Sequence, residues 1–203
     1  MLEDKLSGTG FKKNLSRQAL SRKTETGRQH IHLSLVSRIS HVDVYVDLAL
    51  RHDALDELVY ENTVGWIDEK RKHETNTVGV DLGKLVGPLL PKPWSVDEKT
   101  DIDSVAESIT FDLMLFGLPY LEKYSDLEQI FSSLRRGGRD ADLLNIVPLS
   151  KALNLVGLAF LLRRFEIFDD LIEQEGNWLN SIPNSGQQVF LDFATALKRK
   201  GWD

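Results

Sequence analysis

The sequence contains no cysteine. That excludes disulfides, thiolate metal ligands and a cysteine nucleophile. Several fingerprints are also absent: the Gly-x-Ser-x-Gly elbow, the Gly-x-Gly-x-x-Gly dinucleotide loop, the Walker phosphate loop, His-Glu-x-x-His and the EF-hand loop. There is no internal repeat and no low-complexity tract. The longest apolar stretch, Leu153 to Leu162, contains Asn154 and stops at Arg163 and Arg164, too short to span a bilayer. Met1 to Gly10 is polar and charged, without the apolar centre of a signal peptide. These absences lead to the expectation of a cytoplasmic protein with no membrane segment and no cofactor.

What is present is ordinary globular material: 203 residues, 41% hydrophobic and 28% charged, enough chain to bury a core without staples. The net charge of -6 hides an asymmetry. Lys5, Lys12, Lys13, Arg17, Arg22, Lys23, Arg28 and Arg38 make the first part basic, whereas Asp97 to Glu128 is acidic. Opposite charge on separate surfaces suits steered association with another protein.

Two patterns divide the chain. Gln29 to Val36 and His41 to Leu50 alternate apolar and polar residues, the period of half-buried strands. Leu15 to Arg22 and Thr77 to Leu82 read as two further strands, and Asp53 to Glu61 as a helix. Pro88 to Trp94 reads as a linker. Beyond it the apolar residues recur at helical spacing: Ile102 to Phe116, with a stop or kink at Gly117 and Pro119; Asp126 to Arg136; Pro148 to Leu162; a stretch broken at Gly176; and Gly186 to Lys200. The expected fold is therefore α+β. Residues 1–93 form an antiparallel sheet of about four strands with a helix, and 94–203 form a helical part packed with it as one unit.

The sharpest chemical signal is His30-Ile31-His32. Residues two apart on a strand share a face. With Leu35 opposite Val42, His30 falls beside Asp47, His32 beside Tyr45 and Ser34 beside Asp43. Two imidazoles and a carboxylate, His30, His32 and Asp47, suit zinc or iron with an open position for water. That reading gives a metal-dependent hydrolase or oxygenase. The same face offers an oriented imidazole with Ser34 or Ser21 as nucleophile. The plainer reading is the solvated face of a sheet. A third reading is nucleic-acid binding, with Arg17, Arg22, Lys23, Arg28, His30, His32 and Tyr45 on phosphates and bases; an overall pI near 5.4 weighs against it.

The run Gly10-Phe11-Lys12-Lys13, then Leu20-Ser21-Arg22, a glycine turn and two alternating strands, resembles an uncharacterised bacterial class of domains of unknown function. The resemblance covers the first quarter of the chain and implies an α+β layout. Small acidic proteins of this kind are often immunity partners of bacterial toxins, which implies a non-catalytic protein-interaction module. Its partner would meet the acidic helix at Asp101, Asp103 and Glu107.

Overall fold

The computed structural model describes residues 6, 8–14, 18–63, 75–87, 90–144 and 147–201. It bears out the α+β class. The elements run β1 (Lys12–Asn14), β2 (Ala19–Lys23), β3 (Gly27–Ser37), β4 (Val42–His52), α1 (Asp53–Asn62), β5 (Val78–Asp81), α2 (Leu82–Val86), β6 (Trp94–Val96), α3 (Ile102–Asp112), a π-turn (Leu113–Gly117), α4 (Leu118–Lys123), α5 (Leu127–Arg136), α6 (Gly138–Asp142), α7 (Pro148–Leu161), a 3-10 turn (Phe165–Ile167), α8 (Phe168–Asn180) and α9 (Gln187–Lys200).

These elements form two compact units, each built from two stretches of chain. The first comprises Met1–Arg51 and Val78–Ser125; the second comprises His52–Thr77 and Asp126–Asp203. The division thus does not follow a linker near residue 93. The chain leaves the first unit at the end of β4, returns with β5, and keeps helices α2 to α4 there.

The first unit is a six-stranded sheet ordered β1-β2-β3-β4-β5, with β6 also paired to β4. Alternation puts Leu20, Ile31, Val46, Leu48 and Leu50 on one buried face. Leu82, Ile109, Leu113 and Leu121 complete that core. The expected stop at Gly117 and Pro119 does not occur, although regular α-helix is interrupted just before them. A π-turn carries the helix onward, and Pro119 is accommodated in the first turn of α4. Gly117 lies so close to the sheet that a Cβ there would sit 3.3 Å from Leu48. One polar side chain shares the buried face. Gln29 is 1% exposed; its amide nitrogen donates to the Leu121 carbonyl and to Ser125 Oγ, and its oxygen accepts from Nε and Nη2 of Arg22. A buried amide with its donors and acceptor satisfied costs little and fixes one geometry.

Two strands differ from the sequence reading. Trp94, read as the end of the linker, belongs to β6, where it pairs with Val44. β1 pairs Lys12 with Ser21 and was not foreseen, because three residues are too few to show a period.

In the second unit α7 is buried on nearly all sides, and α1, α5, α8 and α9 pack around it. Its interior is Leu55, Ile130, Leu153, Val156, Phe168, Phe190 and Phe193. Gly176 does not break α8. A Cβ at Gly176 would be in ordinary contact, 3.7 Å from both Phe190 and Leu191, so the position packs against α9 and the tertiary contact outweighs the weak helix propensity of glycine. Inside this core, Asn154 donates to the Thr77 carbonyl at 2.7 Å; Thr77 Oγ1 donates to Asp56 and accepts from the His52 amide.

Asn154→Ala would strand the Thr77 carbonyl in an apolar surround. We expect urea denaturation to show a loss of about 1–3 kcal/mol, the desolvation penalty of an unpaired buried group. A loss below about 0.5 kcal/mol, the size of a neutral surface change, would show that the bond stabilises nothing.

Candidate functional site

The polar face of the sheet carries the histidines, but in a different register. The β3–β4 hairpin closes with the Arg38 amide donating to the His41 carbonyl at 2.8 Å. Continued along the ladder, that puts Leu35 opposite Val44 rather than Val42, a slip that keeps each face but moves every neighbour. Asp47 lies beside His32, 4.0 Å from Nδ1, and accepts a long 3.4 Å bond from Ser34 Oγ. His30 instead meets Ser21, whose hydroxyl is 2.8 Å from Nδ1. The expected grouping of His30 with Asp47 is therefore corrected. Among the described residues no group of three or more histidines and carboxylates is arranged to hold a metal ion.

The chemistry open to this face is limited. His32 and Asp47 are both about half exposed, at 45% and 49%, and an ion pair so solvated contributes little. Ser21 sits in a strand paired on both sides, to Lys12 and to His30. Its neighbouring amides serve the ladder, so they are not aimed at an oxyanion. Of the basic set, Arg22 is turned inward onto Gln29 and the Thr9 carbonyl; Arg17 lies outside the described residues.

Two carboxylates on this face are electrostatically tuned. Asp43, expected beside Ser34, instead accepts from Arg38 Nε and Ser95 Oγ, both at 2.9 Å, with His41 Nε2 3.2 Å away. The hydrogen bond from Arg38, and then that from Ser95, hold its carboxyl below the usual aspartate range. Arg38 and His41 were missed because the hairpin turn that gathers them was placed wrongly. Asp81 caps α2 by accepting from the Lys84 amide, and it stands directly across the ladder from Asp47. Burial first, and the Asp47 charge second, push its carboxyl up.

The other face has a different character at the hairpin end. Along β3 the apolar row passes from Ile31, fully buried, to Leu35, 61% exposed. A groove of about 610 Å³ lies here between the sheet and α3. Leu20, Leu33, Leu35, Val44 and Val96 form its sheet wall; Ile102, Val105, Ala106 and Ile109 form its α3 wall. Lys13, Asn14 and Gln18 mark one end. The α3 wall is acidic on its outer side. Asp101 and Asp103 flank Ile102, itself 59% exposed, and Glu107 follows a turn later. Asp101 also caps the helix, accepting from the Asp103 amide at 3.0 Å. No signal in the sequence marked the groove, because its apolar lining residues read as ordinary core.

Among the described residues, no helix is long and apolar enough to cross a membrane. Comparison with family models, curated proteins and solved structures finds no match.

Two titrations check this electrostatic picture. Because Asp43 has a depressed folded pKa, its contribution to stability is present above the unfolded value, about 3.9, and is lost as pH falls through the folded value. Asp43→Asn should therefore flatten the fall in stability below about pH 4 in acid-dependent urea melts; an unchanged slope would refute the coupling to Arg38. Asp47→Asn should lower the Asp81 pKa, followed by carboxyl-carbon NMR, yet leave it above the ordinary aspartate value because burial remains. No movement would mean that the two charges do not interact.

Proposed function

We propose that this chain is a non-catalytic protein-interaction module that holds a segment of a partner protein in the groove between the sheet and α3. The observation that carries the reading is an open apolar groove whose α3 wall is flanked on its outer side by carboxylates. An apolar row ending at an exposed Leu35, facing Ile102, leaves hydrophobic surface for an amphipathic segment to bury. Asp101, Asp103 and Glu107 beside it favour a partner with Lys or Arg flanking its apolar anchors. The immunity or antitoxin setting implied by the sequence resemblance agrees with such a module, as does a cytoplasmic address. The metal-dependent reading of His30, His32 and Asp47 has less support, since Asp47 lies with His32 while His30 lies with Ser21.

The test uses two variants of the intact chain as bait beside the parent. Ala106→Trp fills the groove from the helix side. Asp103→Lys with Glu107→Lys reverses the wall and spares Asp101, whose cap would otherwise cost about 1 kcal/mol. We expect one stoichiometric protein partner to be captured by the parent and lost with Ala106→Trp. The charge reversal should slow its association about tenfold or more at low salt and weaken the salt dependence. A partner held equally well by all three chains binds elsewhere and would refute the groove. Absence of any protein partner would refute the interaction module.

A further inference from the structure

The second unit contains a separate hollow of about 500 Å³ that owes nothing to the groove. Phe131, Ser132 and Arg135 are on one face of α5, three and four residues apart, with Arg136 alongside. Arg164 and Ile167 close the hollow from the turn after α7.

That turn is made at a conformational cost. Arg163 has φ of 55°, in the left-handed region where helix ends ordinarily place glycine. The Arg164 amide then donates to the Ala159 carbonyl at 2.8 Å, and the reversal carries Arg164 to α5. There its Nη2 donates to Glu128 at 3.0 Å. Glu128 occupies one edge of that guanidinium, and a guanidinium has five donors. Arg136 reaches Asp140 only at 3.9 Å and is 71% exposed. Arg135 lies 5.9 Å over the Phe131 ring and forms no ion pair with a carboxylate among the described residues. Three guanidinium groups thus surround one hollow. Glu128 is paired with the first, leaving Arg135 and Arg136 against Glu166.

The geometry points to a binding site for a small phosphomonoester, its phosphate taken by Arg135, Arg136 and Arg164 and its organic part resting on Phe131 and Ile167. Guanidinium forks match phosphate oxygens in pairs, and a phosphomonoester presents three such oxygens and up to two charges to three guanidinium groups, where a carboxylate presents two oxygens and one charge. The volume exceeds that of a bare phosphate and falls in the range of small-molecule sites, about 300–1,000 Å³. The residues belong to the second unit alone, so the site stands or falls independently of the partner groove.

Calorimetric titration of the full chain with phenyl phosphate, inorganic phosphate and phenol tests the assignment. Phenyl phosphate should bind most tightly, inorganic phosphate more weakly, and phenol not at all. Arg135→Ala with Arg136→Ala should weaken phenyl phosphate at least about tenfold, since each lost charged hydrogen bond is worth that much or more. Both side chains are exposed, so the double variant should keep the parent's circular dichroism and urea midpoint. Arg135→Lys with Arg136→Lys keeps the charge and loses the forks, and should fall between the two. Phenyl phosphate that fails to bind, that binds no better than phenol, or that binds the alanine variant as tightly as the parent would overturn the proposal.

Discussion

In each unit a buried side-chain amide ties together two stretches of chain that are distant in sequence. Gln29, on β3, bonds to Leu121 and Ser125 at the far end of the first unit's second stretch. Asn154, on α7, bonds to Thr77 in the second unit's other stretch. Apolar contact alone is tolerant of sliding, because one Leu or Val replaces another at small cost. A buried amide has no such tolerance: moved by one residue, its donors are left bare in a medium that cannot replace them. These two bonds therefore set where the returning chain docks in each unit, and the packing of the helices follows from that placement.

The consequence for the first unit is an uneven cover. Gln29 and its partners anchor α4 at one end of the long β3–β4 hairpin, where Ile31, Val46 and Leu48 are sealed. The helical segment from Ile102 to Lys123 lies close to that end at Gly117, where a Cβ would sit 3.3 Å from Leu48 and 3.4 Å from Leu82. Toward the hairpin turn the cover thins, and the same apolar row emerges at Leu35. The groove is thus a product of where the helix is pinned, and its acidic wall comes from the residues that begin α3, where the helix dipole favours carboxylates.

Alternation made β3 and β4 legible, because eleven-residue strands repeat their period enough times to be unmistakable. Helix ends marked by Asp126, Gly137 and Pro148 were legible for the same local reason. What escaped the sequence was nonlocal. The prolines before Trp94 signal a break in regular structure, yet a break is not a boundary between units, and β6 directly follows to pair with β4. Gly176 looks like a breaker until the helix packed against it is known. The histidine register failed by the length of one turn. Faces survive a slip of two residues, so the apolar pattern gives no warning, while every cross-strand neighbour of His30, His32 and Asp47 changes.

That slip also decides which surface deserves the functional reading. A catalytic reading of the histidine face depended on three side chains converging, and convergence is a property of register rather than of composition. With Asp47 beside His32 and His30 beside Ser21, the three side chains fall into two separate cross-strand pairs, and the half-exposed His32–Asp47 pair is worth little. The groove needs no such coincidence. On the proposed reading its apolar walls exclude water from a docked segment, and the neighbouring carboxylates select a basic one. The proposed binding, from apolar burial beside carboxylates, requires no cysteine, cofactor fingerprint or nucleophile elbow, only the apolar groove between this sheet and helix.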